Sequence, residues 1–143
     1  MSRRPKYTEL EHTADVGMEL TAGSLTEAFE QAAAAMFDLI CDLDRVGRGV
    51  RRVVRVEARE NDLENMMVRW LTELLFLFDS ERLVLSRFAV RSLTSDAIEA
   101  HVDGEVFDPS RHSVKADIKA VTYHELTVEP RGPDWYVRVI FDM

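Results

Sequence analysis

The sequence predicts one α+β domain over residues 1–143, in which two helices cover one face of a mostly antiparallel sheet. A chain of 143 residues is long enough for a single domain with its own core. Two amphipathic helical patterns each follow a strand-like segment, and every later segment is strand-like. The order strand, helix, strand, helix and then a meander of strands is typical of an α+β fold.

The first third of the chain predicts one or two short strands followed by a helix. Residues 7–20 alternate loosely between apolar and polar, around a turn at Asp15-Val16-Gly17. Ser24-Leu25-Thr26-Glu27 is a capping box, in which the serine hydroxyl accepts a hydrogen bond from the glutamate amide. Apolar residues then recur at helical spacing, which predicts a first helix that ends at about Cys41.

The remainder predicts a strand, a second helix and a meander. Residues 50–59 alternate valine and arginine, as a half-exposed strand does. Asn61 is predicted as the N-cap of a second helix at about 62–80, which carries the strongest apolar stripe of the chain. Thr94-Ser95-Asp96 and Arg131-Gly132-Pro133-Asp134 are predicted hairpin turns. The later strands are predicted at residues 83–92, 97–106, 114–128 and 135–141.

Composition narrows the class of function. The net charge of −8 argues against direct binding to RNA or DNA, because such binding depends on Lys and Arg that neutralise phosphates. Cys41 is the single cysteine, which excludes an internal disulfide and a cysteine-based zinc site, and we expect it to be a buried core thiol. No segment is apolar over the about 20 residues that a membrane span needs, so we expect a cytoplasmic protein.

Two aspartates near opposite ends of the sequence indicate a cation site. Asp142 interrupts a strand that otherwise looks buried, and a buried carboxylate is costly unless it is paired or bound to a metal. Asp15 taken alone is typical of a turn aspartate that bonds its own backbone. If the two meet, they and the carbonyl or terminal carboxylate of Met143 would offer three or four oxygens to Ca²⁺ or Mg²⁺, and water or a partner would complete the coordination.

Two further polar residues have more than one interpretation. Lys119 lies in an otherwise uncharged Ile-Lys-Ala-Val stretch, where it either extends to solvent or pairs with the carboxylates or a phosphate. His12 and Asp15 suggest a hydrolase-like pair, but no serine lies in a glycine-flanked elbow. A glycine-rich phosphate loop and an HExxH helix are also absent from the sequence, so catalysis by this pair is disfavoured.

Four segments together resemble the archease family and cover essentially the whole chain in the family's order. The resemblance implies an accessory protein, itself not an enzyme, that activates an RtcB-type tRNA-splicing RNA ligase. It also implies that the accessory protein promotes guanylylation and multiple turnover of the ligase, with tRNA contacted only through the ligase. The four segments are His12-Thr13-Ala14-Asp15-Val16-Gly17, the helix over residues 24–38, Lys119-Ala120-Val121-Thr122-Tyr123-His124 and Ile140-Phe141-Asp142.

The resemblance also implies a set of functional residues. A divalent-cation site, calcium with magnesium or manganese as alternatives, would be formed by Asp15, Asp142 and the backbone of Met143. Lys119 corresponds to the family's functional lysine. Methionine stands at position 143 where an aliphatic Ile or Val is usual. That change is tolerated if a main-chain oxygen is the ligand, whereas the site is looser if the side chain holds the terminus.

Two other functions compete with this prediction. The protein could be a general protein or RNA chaperone with a structural metal, which uses the methionine and aromatic stripe of the second helix as a binding surface. A stripe with this spacing more often faces a core, and its exposure would decide between the two. The weakest alternative is a free-standing metal-dependent phosphohydrolase.

Overall fold

The computed structural model describes residues 5–12 and 15–143, without the side chains of residues 11 and 12. The α+β class is confirmed, with two helices and antiparallel strands throughout. A short 3₁₀ turn, Leu43–Arg45, follows the first helix. The elements in chain order are β1 (Thr8–His12), β2 (Asp15–Ala22), α1 (Leu25–Ile40), β3 (Val50–Glu57), α2 (Leu63–Glu81), β4 (Leu83–Leu93), β5 (Ala97–Val106), β6 (Ala120–Val121), β7 (Thr127–Arg131) and β8 (Asp134–Asp142).

The strands form two sheets, where the sequence predicts one. In the first sheet, β1, β2 and β8 lie in that order, and β6 and β7 both pair with the far edge of β8. The second sheet has the order β3-β5-β4. Each helix contacts strands of both sheets, so the helical layer joins them. Since α1 is buried around most of its circumference, it needs cover on more than one side, which one sheet could not provide.

The first helix begins and ends where the sequence predicts. Ser24 is the N-cap, and its hydroxyl oxygen accepts a hydrogen bond of 3.1 Å from the amide of Glu27. Cys41 follows the last helical residue, and its amide donates to the carbonyl of Phe37 at 2.8 Å. The thiol is buried, as expected of a core cysteine, and this burial raises its pKa.

The second helix confirms the predicted stripe but corrects the predicted cap. Asp62, not Asn61, is the N-cap, and its carboxylate accepts from the amide of Asn65 at 2.9 Å. Asn61 instead takes a left-handed conformation, with a φ of 61°, and donates its amide to Ser95. Almost the whole stripe, including Trp70, is buried in the core.

Residues 114–128 depart most from the prediction of one continuous strand. Only Ala120–Val121 and Thr127–Arg131 are strands, and the segment before β6 is irregular. Ile118 anchors that segment by its burial, while the amide of Lys115 donates to the carbonyl of Ile40 at 2.7 Å. The alternation of apolar and polar residues that predicted a strand before β6 therefore belongs to a loop, in which single side chains such as Ile118 are buried.

The turn predicted at Asp15-Val16-Gly17 is also placed differently. These three residues belong to β2, which pairs antiparallel with β1 so that His12 is opposite Asp15. Thr13 and Ala14 lie outside the described residues. The hairpin turns at 94–96 and 131–134 are confirmed by the pairing of β4 with β5 and of β7 with β8. Within the described part of the chain, no helix is long and apolar enough to cross a membrane.

Candidate metal centre

Asp15 and Asp142 are neighbours at one end of the first sheet. Asp15 is the first residue of β2, Asp142 is the last residue of β8, and the two are directly opposite in the antiparallel register. Residues opposite each other in such a pair share one face of the sheet, with Cβ atoms about 5 Å apart. The fold thus brings together the two carboxylates that the sequence singles out from its opposite ends.

The environment of Asp142 differs from the one the sequence predicts. Its two predecessors, Ile140 and Phe141, are buried, but Asp142 itself is exposed and Asp15 is half-buried. The expected cost of burying a carboxylate therefore does not arise. A different cost replaces it, because like charges directly opposite in a sheet repel each other. A cation between the two carboxylates would turn that repulsion into attraction.

The oxygen donors fit a hard cation with a partly open coordination shell. Two carboxylates and a main-chain oxygen of Met143 are the type of ligands that Ca²⁺ and Mg²⁺ prefer, and they do not favour soft metals. Among the described side chains, those of residues 5–10 and 15–143, no group of three or more His, Cys, Asp or Glu is arranged to hold a metal. Because Ca²⁺ takes about 6 to 8 oxygens, water or a partner would have to supply the rest.

Lys119 is attached to the same end of β8 through its backbone. Its amide donates to the carbonyl of Asp142 at 2.8 Å, and Ala120 pairs with Asp142 in the β6–β8 register. Thr122 strengthens the attachment, since its amide and its hydroxyl both donate to the carbonyl of Ile140, at 3.1 and 2.8 Å. The Lys119 side chain is exposed. It therefore starts next to the aspartate pair and extends into solvent.

A cleft of about 420 Å³ opens beside Asp15 and Met143. Lys115 and Glu9 also line it, and sequence reasoning did not single out either residue. Lys115 comes from the irregular segment before β6, where no periodic pattern marks a position. Glu9 lies in β1, where only the register with β2 brings it near the cleft. Val16, Leu39 and Ala116 complete the lining.

Asp38 is a fully buried carboxylate close to this cleft, and the sequence analysis did not assign it a role. It accepts hydrogen bonds from the hydroxyl of Tyr7 at 2.9 Å and from the amide of Leu43 at 3.3 Å. The neighbouring Leu39 lines the cleft. An acidic residue on the buried face of an amphipathic helix was the signal that could have identified it. Its bonds connect the residue just before β1, the first helix and the 3₁₀ turn.

For the predicted His12–Asp15 pair, the structure describes the relative position of the two backbones. His12 is opposite Asp15 in the β1–β2 register, while its side chain lies outside the described residues. Thr13 and Ala14, which belong to the same archease-like segment, also lie outside the described residues. The row across the sheet is therefore His12, Asp15, Asp142 and Ala120.

Comparison with known proteins gives the family. The model of the Archease protein family (MTH1598/TM1083) matches residues 7–143. The archease of Sulfurisphaera tokodaii is 37% identical over 142 residues, which cover 96% of this chain and 99% of that protein. The archease of Methanosarcina acetivorans is 37% identical over 146 residues, which cover 99% of each.

Solved structures give the same fold. The solution structure of a Methanobacterium thermoautotrophicum protein has a TM-score of 0.82 at 29% identity, and the match covers 96% of this chain and 98% of that one. A crystal structure of a Thermotoga maritima archease, described as a possible chaperone, has a TM-score of 0.58 at 19% identity and covers 95% and 96%. On the family match and on the identity to curated archeases along nearly its whole length, this chain belongs to the archease family.

Proposed function

We propose that this protein activates an RtcB-type RNA ligase and promotes its guanylylation and multiple turnover, without being an enzyme itself. The observation that carries the proposal is the direct pairing of Asp15 with Asp142 beside the anchored Lys119. Membership of the archease family supports the choice of partner. We place the protein in the cytoplasm and expect it to meet tRNA only through the ligase, because its net charge of −8 disfavours direct binding to nucleic acid.

In this proposal Asp15 and Asp142 bind a divalent cation together with a main-chain oxygen of Met143. Calcium is the first choice, and magnesium or manganese are alternatives, because all three accept carboxylate oxygens. A bound cation would supply positive charge close to the phosphates of a nucleotide. The exposure of Asp142 and Met143, the latter at 41%, leaves room for oxygens from the ligase or its nucleotide to complete the coordination.

Lys119 is proposed to contact the nucleotide phosphates in the complex. Its backbone is fixed to Asp142, so the ammonium group can move only within the length of its own side chain. A lysine presents a compact positive charge, which suits a phosphate oxygen whose charge increases during phosphoryl transfer. Lys119→Arg would keep the charge and Lys119→Met would keep much of the length. The two variants separate electrostatic contact from packing.

The test is guanylylation and multiple-turnover ligation by an RtcB-type ligase, with and without this protein. We expect the wild type to stimulate both reactions and the Asp15→Asn/Asp142→Asn variant to lose the stimulation. Asp79→Asn, a change of the same chemistry on the exposed side of α2, is the matched control and should stimulate fully. Full stimulation by the double variant would remove the carboxylate pair from the mechanism. No stimulation by the wild type would overturn the proposal.

The chaperone alternative has less support in the structure. The methionine and aromatic stripe of α2, which it would use as a binding surface, is buried against the strands and α1. Trp70 even donates its indole N–H to the carbonyl of Phe29 at 3.0 Å inside the core. Exposing the stripe would require the protein to unfold. The likeness to the Thermotoga maritima structure, at 19% identity, supports the fold alone.

A further inference from the structure

We propose that the free edge of β3 binds an extended acidic segment of a partner protein, which adds as a fourth strand to the β3-β5-β4 sheet. This inference concerns the second sheet and does not depend on the proposed cation site. It rests on the regularity of β3, on the direction of its backbone groups and on the side chains that border it.

The edge of β3 is long, regular and without a strand partner in the described part of the chain. All eight residues pair with β5 without a register shift, and no described strand pairs with its other edge. The opposite edge strand, β4, has two register shifts, and the carboxylate of Glu30 accepts from its Val90 amide at 2.8 Å. Bulges and capped amides protect a sheet edge against strand addition, and β3 has no register shift of this kind.

The backbone of β3 presents alternate residues to this edge. The amide of Ala58 donates to Asp96 on the β5 side, so the even positions before it face β5 and the odd positions face away. The direction of the Arg51 carbonyl supports this assignment, because it accepts an exposed hydrogen bond from the Arg52 side chain at 3.1 Å. The N–H and C=O groups of positions 51, 53 and 55 therefore point outward, where an added strand would pair with them.

The charge of β3 selects the kind of segment. The strand carries three arginines, at positions 51, 52 and 55, and one glutamate, in a chain whose net charge is −8. A second copy of β3 in the same place would bring like charges together, which disfavours a dimer through this edge. Each arginine already has one carboxylate neighbour: Arg51 has Asp103 at 2.8 Å, Arg52 has Glu81 at 3.0 Å and Arg55 has Glu57 at 3.7 Å. The arginine side chains are still partly exposed, so an acidic strand would place further carboxylates opposite them. RNA lacks the alternating amide and carbonyl groups that would satisfy this edge.

An exposed valine and two grooves complete the surface. Val53 lies between Arg51 and Arg55 on the outer face and is 63% exposed, so it offers an apolar contact to the methylene groups of a glutamate side chain in the added strand. A groove of about 410 Å³ runs between β3 and α2, where Arg69 and Glu73 border it. A neighbouring groove of about 310 Å³ continues to Tyr123, whose hydroxyl accepts from the Asn65 side chain at 2.8 Å.

The test uses a capped synthetic peptide that alternates Glu and Val over seven residues, titrated into the ¹⁵N-labelled protein. We expect the largest amide shifts at residues 51–57, strand-pairing contacts to Val53, and weaker binding as salt is raised. A peptide that alternates Lys and Val should bind at least about tenfold more weakly, because its charges oppose the arginines. A short oligouridylate should cause no shifts at these positions.

Variants separate the backbone contribution from the charge. Val53→Pro removes one outward N–H without removing a bond to β5, so it should abolish the shifts while the rest of the spectrum keeps its dispersion. Arg55→Glu should weaken binding of the Glu-Val peptide, and Arg91→Glu on β4 is the matched control that should not. Absence of shifts at millimolar peptide would overturn the proposal, as would preferential oligouridylate binding or a dimer that Val53→Pro dissociates.

Discussion

Gly17 and Ile140 face each other across the β2–β8 pair so closely that a side chain at position 17 has no room. A Cβ atom at Gly17 would lie 2.6 Å from Cδ1 of Ile140 and 3.1 Å from the carbonyl oxygen of Val139. Ile140 is only 1% exposed, so its side chain cannot turn into solvent. This contact is on the same face of the sheet as Asp15 and Asp142, two residues along each strand.

Gly17→Ala should destabilise the protein by about 1–3 kcal/mol, because the added methyl group overpacks a filled site. Urea denaturation measures the loss as a lower transition midpoint. Gly49→Ala is the matched control, since nothing lies within 4 Å of its Cβ position. Its unfolding free energy should stay within about 0.5 kcal/mol of the wild type or rise slightly. Equal effects of the two substitutions would show that the Gly17–Ile140 contact has no energetic role.

The effect of Asp142→Asn on stability should change sign between chelator and calcium. In chelator, Asp142→Asn should be more stable than the wild type by about 0.2–1 kcal/mol, because the repulsion from Asp15 is relieved. In calcium at a hundredfold excess over the dissociation constant, the wild type should gain about 2.7 kcal/mol that the variant does not. Thermal unfolding with and without calcium measures both differences. An equal calcium response in wild type and variant would contradict a site at this pair, and Asp79→Asn should respond as the wild type does.

The two faces of α2 should respond differently to truncation. Leu74 is fully buried and Phe76 is exposed, although both are large apolar residues of one helix. Leu74→Ala should cost about 2–5 kcal/mol, through lost burial and the cavity left behind. Phe76→Ala should change the unfolding free energy by less than about 0.5 kcal/mol. Urea denaturation of both variants tests whether the stripe of α2 is core in solution, and a small loss for Leu74→Ala would favour an exposed stripe.

Asp103 should make stability depend on pH in the acid range. The carboxyl of Asp103 is only 4% exposed, and this burial by itself would raise its pKa. A hydrogen bond of 2.8 Å from Arg51, together with the positive charges of Arg51 and Arg87, nevertheless lowers the pKa. Because the folded-state pKa lies below the unfolded value of about 3.9, the contribution is complete above that value and is lost as pH falls through the folded-state pKa. Asp103→Asn should therefore be less stable than the wild type at neutral pH. The gap should narrow on acidification, as measured by denaturation at several pH values, and a gap that stays constant would contradict this assignment.

Sequence patterns predicted those elements whose signals are local. The Ser24 cap needs only the three residues after it, and the strand at 97–106 is fixed by its alternation and by the turn before it. Asn61 and Asp62 are both good caps, and the choice between them depends on the left-handed turn that Asn61 makes towards Ser95. That contact is distant in sequence, so no local pattern contained it.

The candidate site was predictable only as far as its residue types allow. The sequence identified the carboxylates at positions 15 and 142 as possible cation ligands. Their position opposite each other on neighbouring strands follows from the whole arrangement of the first sheet. Lys115 and Glu9 reach the same cleft from a loop and an edge strand, where spacing indicates nothing. The division of the strands into two sheets was missed because the burial of α1 on several sides is a tertiary property.

The position of β8 makes the first sheet depend on a pairing between strands that are far apart in sequence. The second sheet is built from residues 50–106, a continuous stretch that includes α2, so its contacts are comparatively local. The first sheet must join residues 8–22 to a strand that follows every other element in the sequence, and such distant pairing is slow because a long loop must close first. The carboxylate pair therefore exists only when this distant pairing has formed. A cation that binds there would stabilise the pairing of β2 with β8. It would therefore slow the local unfolding of the first sheet more than that of the second.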